Sequence, residues 1–288
     1  QTPGALRIKT WRFAELSGQA VEADFSASQL PSAPQGSVKL QVTDVQAPSL
    51  PATSLRLEAN YAPPQGRITT TVTKGPYQRT TLAGRIALNG GQRVTLDRLR
   101  LQHQDLAWEN DGPVEVVRNS QGDLDIQRFT LRSGAQRLSV TGRLAQAGAL
   151  GVDVLVQQLQ IGPSVRAVKP DAAVADGQLS LELSLGGTLQ QPQGKGSLQL
   201  TSLTYQGRAL GEMRATLELA NQTARTDLRW RAQGRELLQV QGSVGLSANG
   251  VLAMQIRAPD LPLEMLQGLV PGLTHSDGTL NLDLQAAG

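Results

Sequence analysis

The fold of this chain is decided by residues 176–187, which read Asp-Gly-Gln-Leu-Ser-Leu-Glu-Leu-Ser-Leu-Gly-Gly. Four leucines alternate with polar residues, which is the period of a β-strand with one apolar and one polar face. The Asp-Gly pair before the leucines and the Gly pair after them are typical of turns. A weaker copy, Asp-Gly-Thr-Leu-Asn-Leu-Asp-Leu, occupies residues 277–284. Both stretches predict an amphipathic strand that is entered through a turn.

The same alternation dominates the chain from end to end, for example at 38–42, 54–58, 68–72 and 240–246. Turn residues separate these segments, and pairs such as Asn249-Gly250 favour tight hairpins because they tolerate a positive φ. Patterns for long crossover helices, which a parallel sheet requires, are missing. The sequence therefore predicts an all-β chain whose strands form an antiparallel meander.

Two segments depart from the strand pattern. Residues 161–170 form a short apolar stretch bounded by prolines, and residues 261–270 have apolar side chains at helical spacing. In the second segment Asp260 is a suitable N-cap and Pro262 fits the first turn of a helix. Each segment precedes one of the two Asp-Gly strands, which predicts a large internal repeat. We therefore expect a β-rich segment at 1–154, a repeat at 155–255 and the start of a further repeat at 256–288.

The composition bears on what covers the apolar face that such strands share. Only 39% of the residues are hydrophobic, 18% are charged and 3% are aromatic, against averages of roughly 45–50% apolar and about 25% charged. Two short helices cannot cover so many strands, and nine aromatic residues are too few for the two girdles of a membrane barrel. Two possibilities remain, a sealed sandwich and an open trough lined with Leu, Val and Ile. The shortage of rings, which usually fill a compact core, favours the trough.

No pattern in the sequence indicates an enzyme. The chain has no cysteine, which excludes disulfides and thiolate metal sites. His103 and His275 lack metal-ligand spacing, and Asp176 and Asp277 sit beside glycines where a turn explains them. We predict no catalytic residues, no metal and no cofactor. The net charge of +3 comes from scattered arginines, so nucleic acid is not an expected partner.

Targeting signals are also missing from these residues. There is no signal-peptide pattern and no apolar run long enough for a transmembrane helix. The chain begins without Met, and its last strand stops where the earlier copy continues, so it reads as an interior piece of a longer repeating protein.

The order of motifs resembles the TamB family of AsmA-like, bridge-like lipid transfer proteins. The resemblance is carried by Leu261-Pro262-Leu263, by the two Asp-Gly strands and by Gly-Thr-Leu-Gln-Gln-Pro-Gln-Gly at 187–194, and it is clearest over 120–288. It implies an elongated antiparallel sheet curled into an open apolar groove, the β-taco. It also implies a periplasmic protein of a diderm bacterium, anchored in the inner membrane, that moves phospholipid between the two membranes. Assembly of outer-membrane proteins with a barrel protein of the TamA type is implied too, through parts outside this fragment.

We therefore expect a lipid-conducting groove that shelters phospholipid acyl chains, and phospholipid as the partner. The expected lining consists of Leu179, Leu181, Leu183, Leu185, Leu198, Leu200, Leu217, Leu219, Leu228, Trp230, Val240, Val244, Met254, Ile256, Leu280 and Leu282. Leu183→Arg and Leu200→Glu should block transport and leave the strands intact. Two alternatives remain open: a structural or adhesive β-repeat, and a scaffold or chaperone-like repeat that assists barrel or autotransporter assembly without carrying lipid.

Overall fold

The all-β prediction is confirmed. The computed structural model describes residues 2–13, 16–28, 35–47, 50–75, 77–88, 92–104, 106–146, 148–169, 175–188, 190–247, 250–267, 270 and 276–288. These residues contain nineteen strands, one α-helix and one 3₁₀ turn. The chain divides into two compact units, Gln1–Gly134 and Ala135–Gly288. These units are defined by their compactness and not by repetition of structure. The repeat boundaries expected from the sequence therefore stay a prediction.

The first unit is an antiparallel meander of ten strands. Its strands are β1 (Thr2–Phe13), β2 (Leu16–Ser28), β3 (Gln35–Ala47), β4 (Leu50–Ala62), β5 (Gln65–Lys74), β6 (Gln78–Ala87), β7 (Gln92–His103), β8 (Leu106–Asn110), β9 (Val114–Arg118) and β10 (Leu124–Ser133). From β1 to β7 each strand pairs with the next. The two short strands β8 and β9 both lie between β7 and β10.

The second unit continues the same pattern with nine strands. They are β11 (Gln136–Leu144), β12 (Leu150–Gln160), β13 (Asp176–Gly187), β14 (Pro192–Tyr205), β15 (Arg208–Ala220), β16 (Thr223–Ala232), β17 (Arg235–Gly245), β18 (Leu252–Pro262) and β19 (Thr279–Ala287). Each pairs antiparallel with the next. Helix α1 (Ile161–Val168) follows β12, and the 3₁₀ turn Leu263–Leu266 follows β18.

The predicted order of strand, short helical segment and strand is confirmed in both places, but the second helix is wrong in kind. Strand β18 continues to Pro262, and only the four residues Leu263–Leu266 form a 3₁₀ turn. Asp260 is therefore not an N-cap. It lies in a β-bulge with φ 51°, and its N–H donates to Asn281 Oδ1 at 3.0 Å. Pairing with β19 outweighs the helical spacing here, and residues 268 and 269 of the predicted helix lie outside the described residues.

Bulges of this type recur in the second unit. Gln158 in β12, Ser202 in β14 and Asp260 in β18 each have a φ of 51–52°, and each lies where the register with a neighbouring strand shifts. A bulge bends its strand and increases the local twist. Leu203 and Leu261, which follow two of these bulges, are buried. The bulges thus separate the long flat part of the strands from a more enclosed end.

A buried cluster lies at that enclosed end. It consists of Leu203, Leu210, Trp230, Ala232, Leu237, Ala258 and Leu261. Ile161 of α1 and Met265 and Leu266 of the 3₁₀ turn pack against it, so the two helical segments cover the cluster. The indole N–H of Trp230 donates to the Leu210 carbonyl at 2.5 Å, which satisfies the polar atom of this large side chain.

We expect Trp230→Ala to lower the free energy of unfolding by about 3–5 kcal/mol, because it removes a buried ring and leaves a cavity. Leu217→Ala, on the neighbouring strand β15 and four positions further along the same sheet face, removes an exposed side chain and should cost about 1 kcal/mol or less. Urea unfolding of both variants measures the difference. Equal losses would contradict the division of the sheet into a packed end and an open part.

Candidate functional site

The sixteen side chains predicted to line a groove all lie on one face of the second unit. In an antiparallel pair, residues directly opposite each other point to the same side of the sheet. Leu181 is opposite Leu198, Leu228 is opposite Val240, and Val240 is opposite Ile256. We call this side of each unit its apolar face.

Direct pairs connect apolar side chains across every strand of the second unit. One row contains Leu138, Val156, Leu181, Leu198, Ala215, Leu228, Val240, Ile256 and Leu284. The neighbouring row includes Val154, Leu183, Leu217 and Met254. The apolar face is thus continuous across the sheet, although each strand contributes only a few side chains to it.

Exposure varies strongly along the strands of this face. Trp230 is only 5% exposed, and Leu200 and Leu280 pack against its cluster. Leu217 is 36% exposed and Leu284 at the last strand is 46% exposed. Val244, Leu252 and Leu282 are also exposed although they are large and aliphatic. The predicted lining therefore contains one core residue, two side chains that pack against the core, three exposed side chains (Leu217, Val244 and Leu282) and ten that are half-buried.

Two glycines shape the exposed part of the face. Gly196 lies opposite Leu183 on one side and Leu217 on the other, and Gly194 lies opposite Leu185. A methyl group on Gly196 would lie 3.1 Å from Leu183 Cδ1, and one on Gly194 would lie 2.9 Å from Leu185 Cδ2. The leucine side chains therefore lie over the glycines of β14. Leucine methyl groups thus cover the polar backbone at these glycines. The face therefore stays apolar even where β14 has no side chain.

The first unit has an apolar face of the same kind. Direct pairs align Phe25 with Val38, Val38 with Ala59, and Ala59 with Ile68. A cavity of about 760 Å³ opens on this face, within the range of roughly 300–1,000 Å³ that is usual for small-molecule sites. The apolar side chains at its wall are Phe25, Val38, Tyr61, Ile68, Ile86 and Leu88.

These cavity residues were not among those predicted from the sequence. Phe25 is 51% exposed, and Val38, Tyr61, Ile86 and Leu88 are also exposed. Strands at 38–42 and 68–72 were recognised by their alternation, and that alternation already separates the two faces. The pairing that brings Phe25 and Ile86 to one cavity joins strands far apart in the chain, so their grouping required the structure.

The opposite face of both units is polar. In the first unit Arg85 bonds Asp97 with an N–O distance of 2.6 Å, and Arg7 bonds Asp24 at 2.8 Å. In the second unit this face carries hollows of about 410–630 Å³, lined by residues such as Glu182, Lys195 and Arg214. Such exposed pairs contribute little to stability but keep this side of the sheet hydrated.

Asp227 on the polar face of β16 has the clearest electrostatic shift. Hydrogen bonds from Arg229, at 3.1 Å, hold the pKa of Asp227 below its ordinary value. Partial burial opposes this shift, and the Gln241 amide, which donates at 2.8 Å, adds to it. The same contact raises the pKa of Arg229.

Of the chemical candidates considered from the sequence, Asp176 has a structural role. Asp176 accepts hydrogen bonds from the Gly177 N–H at 2.8 Å and the Gly162 N–H at 3.3 Å, so it joins α1 to β13. His275 lies outside the described residues. Within the part of the chain that the structure describes, no group of three or more His, Asp and Glu side chains is placed to hold a metal ion. In the same residues no helix is both long and apolar enough to cross a membrane.

Comparison of the chain with protein-family models, with curated proteins and with solved structures gives no match. The functional argument therefore rests on the two apolar faces themselves.

Asp227→Asn should lower the free energy of unfolding at pH 7 by about 0.5–1 kcal/mol, the usual contribution of an exposed ion pair. A folded-state pKa below the unfolded value of about 3.9 stabilises the fold above that pH. The difference from wild type should therefore be present at neutral pH and disappear as the pH falls through the folded pKa. Chemical unfolding between pH 7 and pH 2 measures it, with the exposed Asp125→Asn as control. A difference that grows on acidification would contradict this account of Asp227.

Proposed function

We propose that this chain shelters the acyl chains of phospholipids on its apolar faces and conducts lipid between two membranes. The observation that carries the proposal is that large aliphatic side chains form continuous rows on one face of each unit, and that most of these side chains are only half-buried or are exposed. Soluble proteins rarely leave an apolar patch of more than a few hundred Å² uncovered, and larger patches mark binding surfaces.

The chemistry of the rows favours a lipid over a specific small molecule. Leucine and valine dominate them, and their flexible branched side chains can follow a flexible guest. Each methylene group that leaves water contributes about 0.8 kcal/mol, so an acyl chain can be held without any polar anchor on the rows. Because neighbouring rows present similar aliphatic surface, the binding free energy of a guest differs little between adjacent positions. A guest can therefore move from one position to the next. Nothing in the proposed mechanism supplies energy or sets a direction.

The cellular setting follows from the sequence resemblance. A member of the TamB family would act in the periplasm, with phospholipid passing between inner and outer membranes and with a contribution to outer-membrane assembly. The membership and the setting belong to the proposal. The antiparallel meander with an apolar face in each unit supports them, because it is the architecture that the resemblance implies.

Photo-crosslinking inside a diderm cell tests the proposal directly. A crosslinker at Leu181 or Leu219 should form lipid adducts, detected by mass spectrometry, because both positions lie on the apolar face. Crosslinkers at the neighbouring Glu182 and Glu218, on the opposite face, are the matched controls. Adducts with outer-membrane proteins alone would support the scaffold alternative. Adducts with neither lipid nor protein would indicate a sealed structural repeat and exclude conduction.

Leu183→Arg should abolish lipid adducts at Leu181 and Leu219 and leave the far-UV circular dichroism unchanged, because Leu183 is only half-buried and the long arginine side chain can carry its charge to solvent. Ser184→Arg, one residue along β13 and on the polar face, is the matched control and should leave the adducts unchanged. Loss of the β signal in Leu183→Arg would instead indicate a closed core.

Leu200→Glu is no longer a suitable blocking variant. Leu200 packs against the buried cluster, so its charge would be desolvated near Trp230. We expect this variant to unfold at lower urea than Leu183→Arg, by a margin of about 2 kcal/mol or more in unfolding free energy. Equal stability of the two variants would show that Leu200 is as open to solvent as Leu183.

A further inference from the structure

Across β4–β7 one row on the apolar face of the first unit is polar, and it continues into Val45 on β3 and Leu106 on β8. Thr53 of β4 is directly opposite Lys74 of β5, Lys74 is opposite Gln78 of β6, and Gln78 is opposite His103 of β7. The next row toward the sheet centre contains Leu55, Val72, Thr80 and Leu101. The polar row therefore forms the end of an otherwise aliphatic face.

Lys74 and His103 are the basic side chains on this face of β4–β7, all of whose residues are described. The register places the other basic residues of these strands, such as Arg56 and Arg100, on the opposite face. Within the described chain neither Lys74 nor His103 has a carboxylate partner, whereas Arg85 and Arg100 on the opposite face pair with Asp97 and Glu109. Both side chains are half-buried, so their donors lie at the edge of the apolar surface.

The distance from this row to the far end of the strands suits a lipid tail. Lys74 and Gly66 are eight positions apart on β5, which corresponds to about 26 Å of strand. The hydrocarbon core of a bilayer is about 30 Å thick and holds two layers of acyl chains, so one chain needs roughly 15 Å. The 760 Å³ cavity, with Tyr61, Ile68 and Ile86 in its wall, lies at the end of the strands remote from the polar row.

We propose that Lys74, Gln78 and His103 bind the phosphate of a phospholipid whose acyl chains lie along β4–β7 toward this cavity. The inference rests on the proposed function and adds a headgroup site to it. A lysine ammonium, an amide and an imidazole N–H provide donors for phosphate oxygens, and the ammonium makes these bonds charge-assisted. The lysine stem can follow the apolar surface while its charge stays at the edge.

The test compares two lipids with the same acyl chains on the purified full chain. Dioleoyl phosphatidylglycerol carries the phosphate, and dioleoylglycerol lacks it. The double variant Lys74→Gln, His103→Gln should bind the phospholipid at least about tenfold more weakly, the cost of losing one hydrogen bond to a charged group. Its affinity for dioleoylglycerol should not change. Lys39→Gln, an exposed lysine on the opposite face of β3, is the control and should match wild type for both lipids.

The outcomes separate this site from the proposed function. If the double variant binds both lipids as wild type does, the headgroup site is wrong while lipid binding stands. If wild type binds neither lipid, the proposed function fails together with the site. Inorganic phosphate is then added as a competitor. If it displaces phosphatidylglycerol at concentrations close to its own dissociation constant for the protein, the row is a free-phosphate site and the headgroup assignment is overturned. Circular dichroism of the double variant shows that any loss of binding is not a loss of fold.

Discussion

The structure depends on one constraint, the need of an amphipathic sheet to cover its apolar face. Hydrogen bonds between strands satisfy the backbone within the plane of the sheet, but they bury no side chain on either face. A sheet on its own therefore keeps its aliphatic rows in water unless another layer or a guest covers them. In the second unit the available cover is small. Among the described residues, helix α1 and the 3₁₀ turn pack against the cluster around Trp230, whereas Leu217 and Val244 stay exposed.

This incomplete cover divides one continuous face into parts with different roles. Trp230 and Leu228 are two positions apart on β16 and point to the same side, yet only Trp230 is fully enclosed. The bulges at Ser202 and Asp260 mark the change, because the strand segments after them carry Leu203 and Leu261 into the cluster. A substitution in the enclosed part acts on stability, whereas one in the exposed part acts on whatever the face binds. The same residue type can thus have opposite roles a few ångströms apart.

Alternation in the sequence was sufficient to predict the strands, their antiparallel order and the common face of the sixteen lining residues, because a period of two specifies which side each residue takes. It was insufficient where pairing decides the outcome. The region before residue 38 was predicted to be β-rich, but its individual strands were not located, since glycine and alanine, as at Gly18 and Ala23, weaken the alternation. Pairing of β1 with β2 and of β2 with β3 specifies them. The helix expected from Leu261 onward does not form, because β18 continues to Pro262 and pairs with β19. The row of Lys74, Gln78 and His103 joins three strands, and its members show no relation until their register is known.

Within each unit the ends of the strands restrict a guest more than the rows do. On the proposed function, an acyl chain lying along a strand of the second unit would meet the packed cluster around Trp230 and could extend no further. In the first unit it meets the polar row at Lys74, where burying more carbon would desolvate a charge. Across the described strands of the second unit the surface stays aliphatic, since Leu181, Leu198 and Leu228 follow one another through direct or shared pairs. The free energy of a bound chain therefore varies steeply along the strands and only weakly across them. Movement across the strands is the direction that this arrangement leaves open, and it requires no displacement of the side chains that hold the fold together.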